Sequence, residues 1–377
     1  MIEDKYMFVS AVNPVAFEIG NLSVRWYGIV IVLGMIIGLL YACRQARVIN
    51  LSVDDAIELF LWIVPIAVVF ARLLYVFVRP SEYFAAEQWE NFGQGFINMI
   101  AVWEGGLTII GGIIGGILGG IFFTIRHRKQ INFGNVADIV IVPLLTGQIV
   151  GRLGNFFNQE AFGIPIDNPH LQTFPFAVYI DSPSGVGPEH QAMVDAAIEK
   201  GNGGYWFAAT FFYEMVWNTI GLFICYALWK KGSTKKYPGL LLIFYLFWYA
   251  LGRAWIDAIR MDGKVITQIA CGIVAPLGLA AMIGYVLLRN SQLSYRRIRA
   301  LKEANELEGA MLTEYDVKNY VRIGGIMKNE NNPLRLFYGA KKEYLDVNFD
   351  ELDYYHVSKD YRRIFKNAKN EEYILQK

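Results

Sequence analysis

The chain has 377 residues, of which 54% are hydrophobic, 15% aromatic and only 18% charged, and its mean hydropathy is +0.31. One soluble core cannot absorb that much apolar sequence, so the composition excludes an ordinary soluble globular protein and points to a membrane-embedded one. A net charge of +1 gives no electrostatic case for a nucleic-acid partner. Cys43, Cys225 and Cys271 stand far apart in apolar segments, without CxxC spacing or a neighbouring histidine, so neither disulfides nor a zinc site is expected. No other metal and no cofactor is expected.

The N-terminus lacks a basic region followed by a short apolar stretch and a small-residue cleavage site, so its first apolar run is expected to stay as a transmembrane helix. A spanning helix needs about 20 mainly apolar residues. Seven stretches qualify, near 26–43, 56–78, 105–125, 136–155, 207–229, 239–258 and 266–288. The predicted fold is all-α and polytopic. Asp138, Pro143 and Gln148 interrupt the fourth span, which is tolerated where a helix faces protein or a wet cavity.

Arg44 and Arg47 follow the first span, Arg126, Arg128 and Lys129 the third, Lys230, Lys231, Lys235 and Lys236 the fifth, and Arg289, Arg296, Arg297 and Arg299 the seventh. The alternate face receives Glu3, Asp4 and an acidic segment near 159–205 with Asp167, Asp181, Glu189, Asp195 and Glu199. Positive loops remain in the cytoplasm, so the N-terminus is predicted outside and the C-terminus inside. The expected organisation is a membrane domain over 1–290, with an extracytoplasmic segment near 159–205, and a charged cytoplasmic extension over 291–377. No repeated block marks the paired halves of a typical transporter.

In the third span, Gly111, Gly115 and Gly119 form one file and Gly112, Gly116 and Gly120 the next. Such spacing lets helices approach closely in lipid; room for an acyl chain is the alternative, and both can hold. Charges inside spans cost about 2.5 to 3.5 kcal/mol on insertion scales, so each needs a reason. They are Arg72, Asp138, Arg152, Glu160, Glu214, Arg253, Asp257 and Arg260. Arg253, Asp257 and Arg260 share one face of the sixth span at i, i+4 and i+7, where two arginines sharing one carboxylate leave an excess of positive charge. Together with Arg152 they suit a phospholipid headgroup, because guanidinium forks bind phosphate bidentately. The run GRLGNFFNQEAFG, Gly151 to Gly163, is the densest polar stretch inside the membrane, offering Arg152, Asn155, Asn158 and Glu160. A polar helix end capped by its own asparagines, with Glu160 neutralising Arg152, is the structural alternative. Arg25, Trp26 and Tyr27 read, on residue type alone, as an interfacial anchor.

These residues resemble the prolipoprotein diacylglyceryl transferases of bacterial plasma membranes. GRLGNFFNQEAFG fits that family's signature at every fixed position. WYGI at Trp26–Ile29, WEGGL at Trp103–Leu107, VAD ending at Asp138, ATFFYE ending at Glu214 and YALGRAWIDAIR at Tyr249–Arg260 extend the likeness over roughly 8–290. The resemblance implies a multi-pass transferase that moves the diacylglyceryl group of phosphatidylglycerol onto the lipobox cysteine of a prolipoprotein, forming a thioether and releasing glycerol phosphate. It implies that Arg152, Asn155, Glu160 and Gly163 serve lipid binding or activity, that Tyr27 has a site role, and that Arg253 and Arg260 are the two arginines of the sixth span. Arg152, Arg253 and Tyr27 are the expected catalytic residues, and Asn155, Glu160, Gly163, Arg260, Glu104 and Glu214 join Arg152 in substrate binding. Glu160 or Glu104 is the candidate proton acceptor. Two family histidine positions hold Ile110 and Ala208 instead, so a histidine base at either is excluded. A catalytically degenerate lipid-binding relative and a polytopic transporter are the competing readings.

Overall fold

The computed structural model describes residues 15–19, 22–47, 51–84, 92–102, 106–127, 131–231, 233–303, 353–357, 363–366 and 372–375. A two-stranded antiparallel ribbon, β1 (Val15–Ile19) and β2 (Leu22–Arg25), leads directly into α1 (Trp26–Ala46). Next come α2 (Val53–Val78), the short α3 (Pro80–Tyr83) and α4 (Phe92–Ile100), α5 (Ile109–Arg126) and α6 (Phe133–Phe157). A second antiparallel pair, β3 (Ala177–Ile180) and β4 (Tyr205–Ala208), flanks α7 (Gln191–Lys200) and precedes α8 (Thr210–Lys230), α9 (Ser233–Lys236), α10 (Leu240–Ile256) and α11 (Val265–Glu303).

Six of these helices, α1, α2, α5, α6, α8 and α11, are long and apolar enough to cross a membrane, and α10 is a shorter apolar helix. Six of the seven expected spans are therefore present at membrane-crossing length, the expected sixth forms the shorter α10, and the chain is a multi-pass membrane protein. The structure divides it into Met1–Ala280 and Ala281–Lys377. Within the second unit, β5 (Asp353–Val357), β6 (Arg363–Lys366) and β7 (Glu372–Leu375) form an antiparallel sheet in that order, with Lys366 in register with Asp353 and Glu372.

The boundaries follow local chemistry. Ser52 and Asp55 form a reciprocal capping box that starts α2 three residues earlier than apolarity alone suggests. Thr108 accepts from the Gly111 N–H and caps α5, so the third span begins at Ile109, not near 105.

Two intramembrane charges turn out to hold the frame. Arg72 donates to the carbonyls of Asn98, Met99 and Gly106, satisfying the last turn of α4 with a side chain from α2. Asp138 on α6 accepts from the backbone N–H groups of Gly239, Leu241 and Leu242, so α10 is capped by a neighbouring helix. Central α6 packs against α1, α5, α8 and α10.

The glycine files are unequal. A Cβ on Gly115 would lie 2.5 Å from the Ile66 carbonyl oxygen of α2, and one on Gly119 3.0 Å from Ile63 Cα, whereas one on Gly112 or Gly116 meets nothing nearer than 3.9 Å. Only the first file is a backbone-to-backbone contact. Gly115→Ala should therefore destabilise by about 1 to 3 kcal/mol through overpacking, while Gly116→Ala should leave the thermal midpoint unchanged or raised. Unfolding of the two variants in detergent distinguishes them.

Candidate active site

The site forms where the last turns of α6 meet the first turn of α8 and the end of α10. Glu214 is 3% exposed and occupies the centre. Its Oε1 accepts from Arg152 Nη2 at 2.5 Å, its Oε2 accepts from Arg260 Nη1 at 3.0 Å, and Arg253 Nη1 lies 3.6 Å from Oε2. One carboxylate gathers three guanidiniums from three segments. The spacing is set by α8 and α10: Trp217 donates its indole N–H to the Trp248 carbonyl and Trp248 donates to the Trp217 carbonyl. The two rings stack at 4.2 Å, each lying over a glycine of the opposite helix, Gly252 or Gly221. A Cβ at either glycine would drive the rings apart, and with them Glu214 and Arg253.

The expected face of Arg253, Asp257 and Arg260 is not a continuous helix face. Helix α10 ends at Ile256, so the i+7 relation fails, and Arg260 sits in an antiparallel bridge with Gly163. Asp257 pairs with Arg253 alone, at 3.0 Å. Arg260 turns away, donating from Nε and Nη2 to the two oxygens of Asp262 at 2.7 and 2.5 Å as well as from Nη1 to Glu214. The expected excess of positive charge is thereby corrected. Arg152, Arg253 and Arg260 face Glu214, Asp257 and Asp262, three charges against three. Sequence reasoning missed Asp262 because it lies past the apparent span. A carboxylate two residues beyond Arg260 was the available signal.

The arginines differ in access. The side chains of Arg152 and Arg253 are 20% and 19% exposed against 6% for Arg260, and Arg253 Nε has no hydrogen-bond partner. Arg152 and Arg253 thus present the accessible cationic surface, and Arg260 is the buried tie between them and the loop beyond.

The signature run makes a tight knot at the end of α6. Arg152 Nη1 donates to Asn155 Oδ1 at 2.8 Å, and Asn155 Nδ2 donates to Glu160 Oε1 at 2.8 Å. Asn158 adds a third bond to the same Glu160 oxygen at 3.2 Å. Glu160 therefore orients Asn155, and does not pair with Arg152 directly. Gln159 and Ala161 adopt left-handed backbone, a strained turn. The Gln159 side chain, another residue the sequence reading passed over, holds it by accepting from the Asp181 and Ser182 N–H groups and donating to Asp181 Oδ1.

Gly163 is a backbone crossing. A Cβ there would lie 2.7 Å from both the Ile259 carbonyl and Thr210 Cγ2 and 2.9 Å from Ala208 Cβ. The neighbouring bonds Gly163 N–H to Ala208 O, Ile164 N–H to Ile259 O and Met261 N–H to Phe162 O stitch the knot to β4 and to the Arg260 segment. Gly154 plays a similar part for Tyr27, whose ring lies where a Cβ on Gly154 would be. Tyr27 is 40% exposed, beside Trp26, which stacks on Phe157 at 5.5 Å. The structure brings Arg152, Asn155, Glu160, Arg253, Arg260 and Glu214 into one linked network and seats Tyr27 against its helix. Glu104 lies outside the described residues. Ile110 is 66% exposed on α5, and Ala208 is buried in β4 opposite Ala177.

A multi-pass helical bundle with a buried arginine–carboxylate network beside a small antiparallel strand pair defines the class, a membrane-embedded protein with a charged internal site. The family model for prolipoprotein diacylglyceryl transferase matches residues 14–289. Phosphatidylglycerol--prolipoprotein diacylglyceryl transferase of Lysinibacillus sphaericus is 33% identical over 290 residues, covering 76% of this chain and 93% of that protein. The enzymes of the same name from Bacillus licheniformis and Clostridium botulinum are 32% and 33% identical, over 79% and 73% of this chain and 98% and 96% of theirs. The chain belongs to the prolipoprotein diacylglyceryl transferase family.

Removing the central carboxylate leaves Arg152 without a carboxylate partner and Arg253 and Arg260 with one each, Asp257 and Asp262. Glu214→Gln should cost about 3 to 5 kcal/mol of stability, the cost of breaking a buried pair, measured as unfolding in detergent. The clasp on Arg260 has a pH signature. Burial pushes the Asp262 carboxyl up, but the hydrogen bond and charge of Arg260 outweigh it and hold it below the usual carboxylate range. A depressed folded value contributes stability that is present above the unfolded pKa of about 3.9 and is lost as pH falls through the folded value. Asp262→Asn should therefore lower the unfolding midpoint at pH 7, and its difference from the unaltered protein should vanish in a titration as the pH falls through the depressed folded value.

Proposed function

We propose that this chain transfers the diacylglyceryl group of phosphatidylglycerol to the lipobox cysteine of prolipoproteins at the bacterial plasma membrane. The cysteine thiolate attacks the glycerol carbon that bears the phosphate, a C–S thioether bond forms, the C–O bond breaks, and glycerol phosphate leaves with the electron pair. The observation that carries the reading is the gathering of Arg152, Arg253 and Arg260 on Glu214, with Arg152 and Arg253 left partly exposed. Such a surface fits a phosphate that gains charge as it departs.

Arg152 holds the phosphate through its guanidinium fork. Arg253 stabilises the leaving oxyanion or the incoming thiolate; a free cysteine has a pKa of about 8.5, so positive potential raises its ionised fraction. Asn155, fixed by Glu160, and Tyr27, seated on Gly154, hold the geometry. Glu160 or Glu104 takes the thiol proton. Arg260 and Glu214 support the lipid site through the network, and Gly163 by keeping the crossing beneath it closed. Residues 1–290 form the transferase domain with its N-terminus outside and the segment near 159–205 extracytoplasmic, and 291–377 form a cytoplasmic extension. The basic loops after the first, third, fifth and seventh spans support that orientation.

The occupants of the two family histidine positions, Ile110 and Ala208, favour one alternative, a relative that binds phosphatidylglycerol without turning it over. The test is purified protein with phosphatidylglycerol and a lipobox peptide. A peptide mass gain matched by glycerol phosphate is the expected result; lipid binding without it would establish the degenerate relative, and solute flux in proteoliposomes with neither would establish a transporter. Arg152→Lys should lose at least about 100-fold in rate, since an ammonium keeps the charge but not the bidentate donor pair. Full transfer by Arg152→Ala would overturn the assignment.

A further inference from the structure

At the end of the bundle away from Arg152, Arg253 and Arg260, residues of α1, α6, α8 and α9 line a cavity of about 10 Å³: Gln45, Asn135, Asp138, Ile139, Trp229 and Thr234. Four buried polar atoms on its lining residues have no hydrogen-bond partner among the described residues: Gln45 Oε1, Asn135 Oδ1, Trp229 Nε1 and Thr234 Oγ1. Gln45 and Thr234 are 2% and 4% exposed, so bulk water does not reach them. A buried polar atom left unpaired costs about 1 to 3 kcal/mol. Four on one cavity exceed what a stable fold leaves uncompensated.

The volume and the donor set select the occupant. A cavity of roughly 10 to 15 Å³ accommodates one water, which needs two to four polar partners. The two amide oxygens accept, the indole N–H can only donate, and the threonine hydroxyl donates or accepts. A single water donates to Gln45 Oε1 and Asn135 Oδ1 while accepting from Trp229 Nε1 and Thr234 Oγ1, which completes its four bonds. A monovalent cation fits poorly, because the Trp229 N–H is directed at it and the Asp138 carboxylate already accepts three backbone N–H groups.

We propose that this cavity binds one ordered water that is a permanent member of the fold, joining α1, α6, α8 and α9 through four hydrogen bonds. It lies beside Asp138, the cap of α10. The water thus braces the frame from which the Arg253-bearing helix extends, at the end opposite the chemistry.

A double-mutant cycle on the full-length protein in detergent tests this, using Gln45→Met on α1 and Thr234→Val on α9. Each single substitution should lower the unfolding midpoint by about 2 to 4 °C. The double variant should fall by less than the sum of the two single losses, because both substitutions withdraw partners from the same water. Thr234→Ser, which keeps the hydroxyl, should hold the midpoint. An experimental map of the unaltered protein that resolves waters should show one peak within hydrogen-bonding distance of all four atoms, whichever variants fold. Additive losses, or no peak at that position, would overturn the proposal. So would a midpoint that drops when sodium and potassium chloride are replaced by choline chloride at equal ionic strength, which would make the site a cation site.

Discussion

The Glu214 carboxylate is the constraint around which the rest of the molecule is arranged. Three guanidiniums inside a membrane bundle repel one another and lack the hydration they would have in water, and a carboxylate among them removes both penalties at once. The arrangement holds only if α6, α8 and the segment after α10 arrive at fixed separations. The reciprocal tryptophan pair fixes α8 against α10, and the crossing at Gly163 fixes the Arg260 segment against the signature loop. Positioning and chemistry are carried by different residues of the same network.

Charge balance shapes how the site can work. Glu214, Asp257 and Asp262 match the three arginine charges overall, and the positive potential is local to the guanidiniums of Arg152 and Arg253, which remain partly exposed. Arg260 is buried by contrast, and among the described residues the unpartnered Arg253 Nε is itself buried. The ion pairs to Glu214 and Asp257 fix where the arginines lie.

The strained turn at Gln159 and Ala161 has a matching explanation. Two left-handed residues let the chain reverse at once after α6, which places the Glu160 carboxylate beside Asn155 and sends Gly163 toward β4. The clamp from Gln159 to the Asp181–Ser182 backbone offsets that strain. The segment near 159–205, which by composition is only an acidic interruption, is therefore the brace of the signature loop, with its own apolar core around Phe162, Val178, Val194 and Phe207.

Membrane class, seven apolar helices and the location of the signature run were legible in the sequence, because each rests on local properties: apolar length, loop charge and a contiguous motif. Pairing was not. Glu214 is 62 residues from Arg152 and 46 from Arg260, Asp138 caps a helix 101 residues later, and no spacing rule connects such positions. The helix-face reading of Arg253, Asp257 and Arg260 failed for a related reason: no glycine or proline falls between Ile256 and Gly263 to mark the point at which the backbone leaves the helix to meet Gly163. Sequence alone determined which residues carry charge into the membrane. Only the tertiary structure decided which of them neutralise one another and which remain open to a ligand, because partner choice depends on distances that the packing of separate helices creates.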